Sequence, residues 1–290
     1  MASISIQESC HLHVVEAGSN DRDPIIIVHG GRGTADHKAD FFAFRPLSNA
    51  FHLYAYDQRG HGRSSGGESA SFGRLVADLE QLRVRLFGQR PISIIGVSYG
   101  GMVALSYAIS YPEKVEKLVV IGCAASHDFV EPALQQYEIR RDCAPLTSKT
   151  MVRRMLDTGF DSDLELRLAW FALRPLYGQC ANADELLSAA ASIHFDAALH
   201  RSLVLNPAYD MRNRLAAVEA NTLVVCGADD WIFTPQFSKE IASGISRCEL
   251  LIVPDCGHAA HVGAPELVLS AIHQHVAGRV SVPRRRAPAW

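Results

Sequence analysis

The 290 residues are 48% hydrophobic and 20% charged, enough for one large core and unlike a disordered chain. A formal charge of −3 excludes the basic surface that a nucleic-acid partner requires, and no apolar run reaches the roughly 18 residues that a bilayer span needs. Neither nucleic acid nor membrane is expected as a partner.

Residues 1–10 lack the basic-then-apolar layout of a secretory leader, so a reducing, cytoplasmic setting is expected. Seven cysteines (Cys10, Cys123, Cys143, Cys180, Cys226, Cys248 and Cys256) are odd in number and never spaced C-x-x-C. That argues against a disulfide framework and a zinc site alike. Cys123 and Cys226 lie in apolar runs, where a thiol packs as a small hydrophobe.

In chain order, Pro24–Val28 is a continuous apolar run that ends at paired glycines, as a buried parallel strand does. Residues 51–56, 91–95 and 117–121 repeat the theme. Between them, Phe72–Phe87 has helical period, with Leu75, Leu79, Leu82 and Leu86 on one face. Residues 102–109 predict another helix. Such alternation predicts an α/β fold, a mainly parallel central sheet with helices on both faces.

The alternation stops across residues 126–216, where helical patterns cover 134–143, 150–158, 164–173 and 183–193. Strands return at 222–226 and 249–253, and Pro265–Val276 predicts a closing helix. A helical block this long is no plain connection. We expect a core of residues 1–125 and 217–290 and a helical cap, or lid, of residues 126–216. The basic run Arg284-Arg285-Arg286 reads as a solvated end.

Three strand ends carry chemistry. Gly96-Val97-Ser98-Tyr99-Gly100 has the G-x-S-x-G pattern between a strand and a helix, a tight turn that exposes a nucleophilic hydroxyl. A serine hydroxyl needs a base to take its proton, and the base needs an acid to orient it. Residues 222–226 run into Asp229-Asp230, of which Asp230 has the favoured G-x-x-D spacing. Residues 249–253 run into Gly257-His258, with His261 a less favoured choice three residues on. The expected catalytic set is Ser98, Asp230 and His258. In His29-Gly30-Gly31-Arg32-Gly33, successive glycines let amides converge, and the Gly31 and Tyr99 N–H groups would form the oxyanion hole. His29 reads as structural. Arg32 reaches the substrate pocket or points into water. His258-x-x-His261 has no third ligand cluster beside it, so no metal is expected, and no other cofactor is implied.

Together with Tyr56-Asp57-Gln58-Arg59-Gly60-His61-Gly62-Arg63-Ser64, these motifs resemble the α/β-hydrolase superfamily over nearly the whole chain. The similarity is to proline iminopeptidase-like (peptidase S33-type) serine hydrolases. The sequence differs from their pattern at Arg32, where they carry proline, and at Tyr99, where they carry tryptophan. The resemblance implies that Asp57 and Arg59 brace the turn beside the oxyanion loop. An aminopeptidase would need cap carboxylates for a free amine, for which Glu138, Glu165 and Glu185 are the candidates. The expected activity is hydrolysis of an ester or amide in a small, largely hydrophobic substrate. Carbon–carbon bond hydrolysis of a dienoic keto acid, acyl transfer, and ligand binding by a receptor are the alternatives. Oligomeric state is not readable.

Overall fold

The computed structural model describes residues 2–7, 10–177, 182–205 and 209–278. Cys180 and Arg284 to Arg286 lie outside them. The strands are β1 (Ala2–Gln7), β2 (Cys10–Ala17), β3 (Pro24–Val28), β4 (His52–Tyr56), β5 (Ile92–Val97), β6 (Val115–Ile121), β7 (Asn221–Gly227) and β8 (Cys248–Val253). They form one eight-stranded sheet in the order β1-β2-β4-β3-β5-β6-β7-β8. The pairs from β4 to β8 are parallel, whereas β1 with β2 and β2 with β4 are antiparallel.

The central strands are apolar throughout because both faces are covered. Ile26 and Val28 of β3 face a cluster that includes Leu75, Leu79 and Leu82, while Ile25 and Ile27 face Phe44, Leu47, Val268 and Ile272. The first face is covered by α2 (Phe72–Phe87) and α3 (Tyr99–Ser110). The second is covered by α1 (Lys38–Phe44) and the closing helix Pro265–Val276. Each wholly buried Leu or Ile side chain contributes about 1.5–3 kcal/mol relative to an exposed one.

Residues 126–216 contribute helices and no sheet strand among the described residues, apart from an isolated bridge between Ser126 and Asp210. These helices are α4 (Val130–Arg140), α5 (Lys149–Arg153), α6 (Asp163–Leu173), α7 (Ala183–Ser192) and α8 (Ala197–Leu205). At Arg154–Thr158 the backbone after α5 widens into a π-helical turn. Their buried residues, among them Leu134, Val152, Leu166, Leu173 and Leu203, join the same cluster as α2 and α3. The remaining helices are α9 (Pro235–Gly244), α10 (Ala260–Gly263) and α11 (Pro265–Val276).

The sheet topology fixes where a ligand can sit. From β3 the chain moves outward to β4, then returns to β5 on the other side, where Val28 lies opposite Gly96. Loops leaving β3 and β5 therefore diverge over a crevice, the position where open parallel sheets bind ligands.

One buried ion pair ties the turn after β4 to α2. The Arg59 guanidinium donates to both Asp78 oxygens, at 2.6 and 2.7 Å, and both residues are almost wholly buried. Removing one partner strands the other charge away from water. Asp78→Ala should lower the unfolding free energy by about 3–5 kcal/mol, read as a lower urea midpoint; an unchanged midpoint would contradict this.

Candidate active site

Ser98 follows β5 directly and has φ 53° and ψ −120°, one of two non-glycine residues with positive φ among those described. The surroundings over-determine this strained turn. The Ser98 amide donates to the Ile121 carbonyl at 2.8 Å, and its own carbonyl accepts from Gly101. A Cβ at Gly100 would lie 2.2 Å from the Val28 carbonyl oxygen, so only glycine lets α3 pass this close to β3. α3 begins at Tyr99, three residues earlier than the sequence pattern suggested.

The loops after β7 and β8 bring two further side chains to Ser98. The His258 Nε2 lies 3.0 Å from Ser98 Oγ, and His258 Nδ1 lies 2.9 Å from Asp230 Oδ2. A carboxylate only accepts, so Nδ1 carries the proton and Nε2 is left to accept from the serine hydroxyl. Asp230 is buried, and its other oxygen accepts from the amides of Ile232 at 2.9 Å and Phe233 at 3.0 Å. Asp229 is exposed. His261 is buried 3.1 Å from Asp40 and away from the serine. The rings of Tyr177 and Phe233 flank His258 at 5.6 and 5.5 Å.

The glycine loop after β3 abuts the same point. A Cβ at Gly30 would lie 3.1 Å from that of Ser98. The Gly30 amide is engaged by Asp40 Oδ2 at 3.1 Å, whereas the Gly31 and Tyr99 amides have no protein partner among the described residues. His29 holds the loop by donating Nδ1–H to the Gly30 carbonyl and accepting at Nε2 from the Gln58 amide. His61 Nε2 accepts from the Gly33 amide at 2.9 Å. Asp57 accepts from the His37 amide, His37 Nδ1 and the Arg63 amide. It therefore braces the turn, while Arg59 anchors that turn to α2 and His61 makes the direct link to the loop. His13, His37 and Asp57 bring ligand-type atoms within 4.8 Å of one another, but the carboxylate already accepts from those three donors.

Arg32 turns inward. Its Nη2 donates to the Leu156 carbonyl at 3.0 Å, and its guanidinium carbon lies 5.6 Å from the Tyr99 ring centroid. Leu156 belongs to the π-helical turn, a local widening that aims a carbonyl sideways. The Tyr99 side chain is thus part of the site surroundings and not only packing. The three candidate glutamates sit elsewhere. Glu138 and Glu165 are exposed and paired with basic neighbours, and Glu185 is exposed near the start of α7. Sequence reasoning missed the supporting roles of His37, His61, Asp40 and His261, and gave no hint of Tyr177 or of Tyr209, a buried phenol that acts electrostatically on Arg32. The histidines had a signal in their density around the glycine loop; the tyrosines had none.

The family model described as the alpha/beta hydrolase fold matches residues 23–265. The chain belongs to the α/β-hydrolase family. This hydrolase is 36% identical over 262 residues to a proline iminopeptidase, PfmaB, of Pestalotiopsis fici, covering 89% of this chain and 93% of that one. A crystal structure of a hydrolase from Pseudomonas aeruginosa PA01 matches with a TM-score of 0.73 at 22% identity, covering 95% of this chain and 97% of the other. A proline iminopeptidase from Mycobacterium smegmatis gives a TM-score of 0.67 at 17% identity, with 96% and 97% covered. The two solved structures share the fold.

The supporting histidines make the α/β hydrolase acid-sensitive in a defined window. Burial pushes His61 down to about 3 and His200 down to about 4, both below the ordinary 6.5. As pH falls below 6.5 the unfolded chain takes up these protons first, so stability is full above 6.5 and drains toward the folded values. Each group removes roughly 1.4 kcal/mol per pH unit within that span. The melting temperature should fall from about pH 6.5 to pH 4.5, and His61→Gln should make that fall shallower. A slope unaltered in the variant would count against neutral His61 as a stabilising acceptor.

Proposed function

We propose that this hydrolase cleaves an ester or amide of a small molecule through an acyl-enzyme on Ser98. The observation that carries the reading is the unbroken hydrogen-bond chain from Asp230 through His258 to Ser98 at a strained strand-to-helix turn. Ser98 Oγ bonds to the carbonyl carbon as His258 Nε2 takes the hydroxyl proton. The carbonyl oxygen gains negative charge and accepts from the Gly31 and Tyr99 amides. His258 then gives its proton to the leaving oxygen or nitrogen, and the carbon–leaving-group bond breaks. Water enters and its oxygen bonds to the acyl carbon as His258 takes its proton; His258 then returns that proton to Ser98 Oγ as the acyl–oxygen bond breaks, which frees the acid and restores the hydroxyl. Asp230 remains a carboxylate and holds the imidazolium in place.

In this proposal residues 126–216 form the lid over a core of residues 1–125 and 217–290. The π-helical turn reaching Arg32 and the Tyr177 ring beside His258 support that role. We assign the enzyme to a reducing, cytoplasmic compartment: the six described cysteines are all free, and no described helix is long and apolar enough to cross a membrane. An aminopeptidase-type substrate fits less well, because the three candidate carboxylates are exposed elsewhere and a guanidinium takes the inward position.

Ser98→Ala should lower turnover of 4-nitrophenyl acetate by at least about a thousand-fold, and Asp230→Asn by about ten-thousand-fold, with the far-ultraviolet spectrum and melting temperature kept. Undiminished activity in Ser98→Ala would remove the proposal.

A further inference from the structure

On the glycine loop beside the proposed reaction centre, the half-buried Arg32 has no carboxylate paired with it among the described residues. The acid that acts on it is Asp157, whose effect is smaller than that of three neighbouring phenols. The one firm contact of Arg32 is the neutral Leu156 carbonyl. Desolvation dominates its electrostatics and holds its pKa below the ordinary arginine value; the groups that offset this most are the phenols of Tyr209, Tyr99 and Tyr177. A guanidinium stays charged under all working conditions, so an uncompensated one is costly to retain.

The phenols are unsatisfied as well. The hydroxyls of Tyr99 and Tyr209 are buried and have no hydrogen-bond partner among the described residues. Both rings pack on Phe72, at 5.9 and 4.8 Å, which sets them side by side, and both interact electrostatically with Arg32. A buried hydroxyl left without an acceptor is destabilising unless a ligand supplies one. Around Arg32 there are therefore a fork of N–H donors with one close neutral acceptor and two O–H donors with no acceptor among the described residues, one of them on the residue that follows Ser98.

We propose that Arg32, with the Tyr99 and Tyr209 hydroxyls, forms a subsite for a carboxylate on the substrate. The assignment rests on the hydrolase reading and narrows it: the preferred ester or amide carries a second, acidic group. Guanidinium and carboxylate match in a bidentate geometry, and the remaining lone pairs of the carboxylate suit the two phenols. The expectation of a largely hydrophobic substrate is thereby revised, since the inward-facing lining pairs aromatic rings with a positive charge.

Two matched probe pairs test this. In one the acid sits on the acyl side: 4-nitrophenyl hydrogen glutarate against its methyl ester. In the other it sits on the leaving group: 4-carboxyphenyl acetate against its methyl ester. At least one acidic probe should show kcat/KM about ten-fold or more above its neutral partner. Arg32→Met should bring that ratio close to one, Arg32→Lys should keep part of it, and Tyr209→Phe should lower it a few-fold. A ratio near one for both pairs in the wild-type enzyme, or one that survives in Arg32→Met, would overturn the subsite while leaving the hydrolase reading intact. Calorimetric titration with glutarate and benzoate separates the two failures. If no probe turns over, the hydrolase reading fails, yet carboxylate binding lost in Arg32→Met and kept in Arg32→Lys still supports the subsite. Absence of binding to the wild-type enzyme overturns it.

Discussion

A single backbone conformation organises this molecule. Ser98 occupies a left-handed turn that an L-residue adopts only under compulsion, and the compulsion comes from three sides. Its amide is fixed to β6, Gly100 presses against the end of β3, and the first turn of α3 accepts no intruding Cβ. Because β3 and β5 are neighbours at the point where the sheet changes direction, the same packing that strains Ser98 brings the glycine loop against it. Strain, glycine content and strand order are one constraint seen at three scales.

Around that point the protein uses neutral histidines as rigid polar joints. His29 and His61 each donate from Nδ1 to a nearby carbonyl and accept at Nε2 from a backbone amide. Such a joint works only while the imidazole is uncharged, and burial ensures this for His61. Asp40 links the glycine loop to His261, so the loop is held from β8's side as well. The Gly31 and Tyr99 amides keep no protein partner among the described residues. Among the polar groups short of partners are the phenols of Tyr99 and Tyr209, both of which act electrostatically on Arg32, whose guanidinium reaches the helical segment at Leu156.

Much of this was legible in sequence, for a physical reason. Strands buried on both faces need unbroken runs of Ile, Val and Leu, so β3 and β5 to β7 could be read directly. Strands β1 and β2 were missed because they form an antiparallel edge whose residues alternate, as in Ala2–Gln7, where serines interrupt the isoleucines. α8 was missed because it is short and follows a break, whereas the pattern over 150–158 was read as one helix although its second half is a π-helical turn. Ser98, Asp230 and His258 could be singled out since each lies just beyond a strand end, where side chains meet over a parallel sheet. Asp230 was preferred over Asp229 on the G-x-x-D spacing, and the loop geometry buries Asp230 while exposing Asp229. Tyr177 lies in a 3-10 turn and Tyr209 just before the bridge residue Asp210, positions with no periodicity to announce them.

Mapping the site of covalent attack by a fluorophosphonate, through digestion and mass spectrometry, interrogates the hydrogen-bonded chain at its reactive end. One phosphonyl group should be found, on the peptide carrying Ser98, and His258→Ala should slow its formation by orders of magnitude. An adduct on another residue, or labelling at full rate without the imidazole, would mean that the short contacts between these three side chains do not activate the serine.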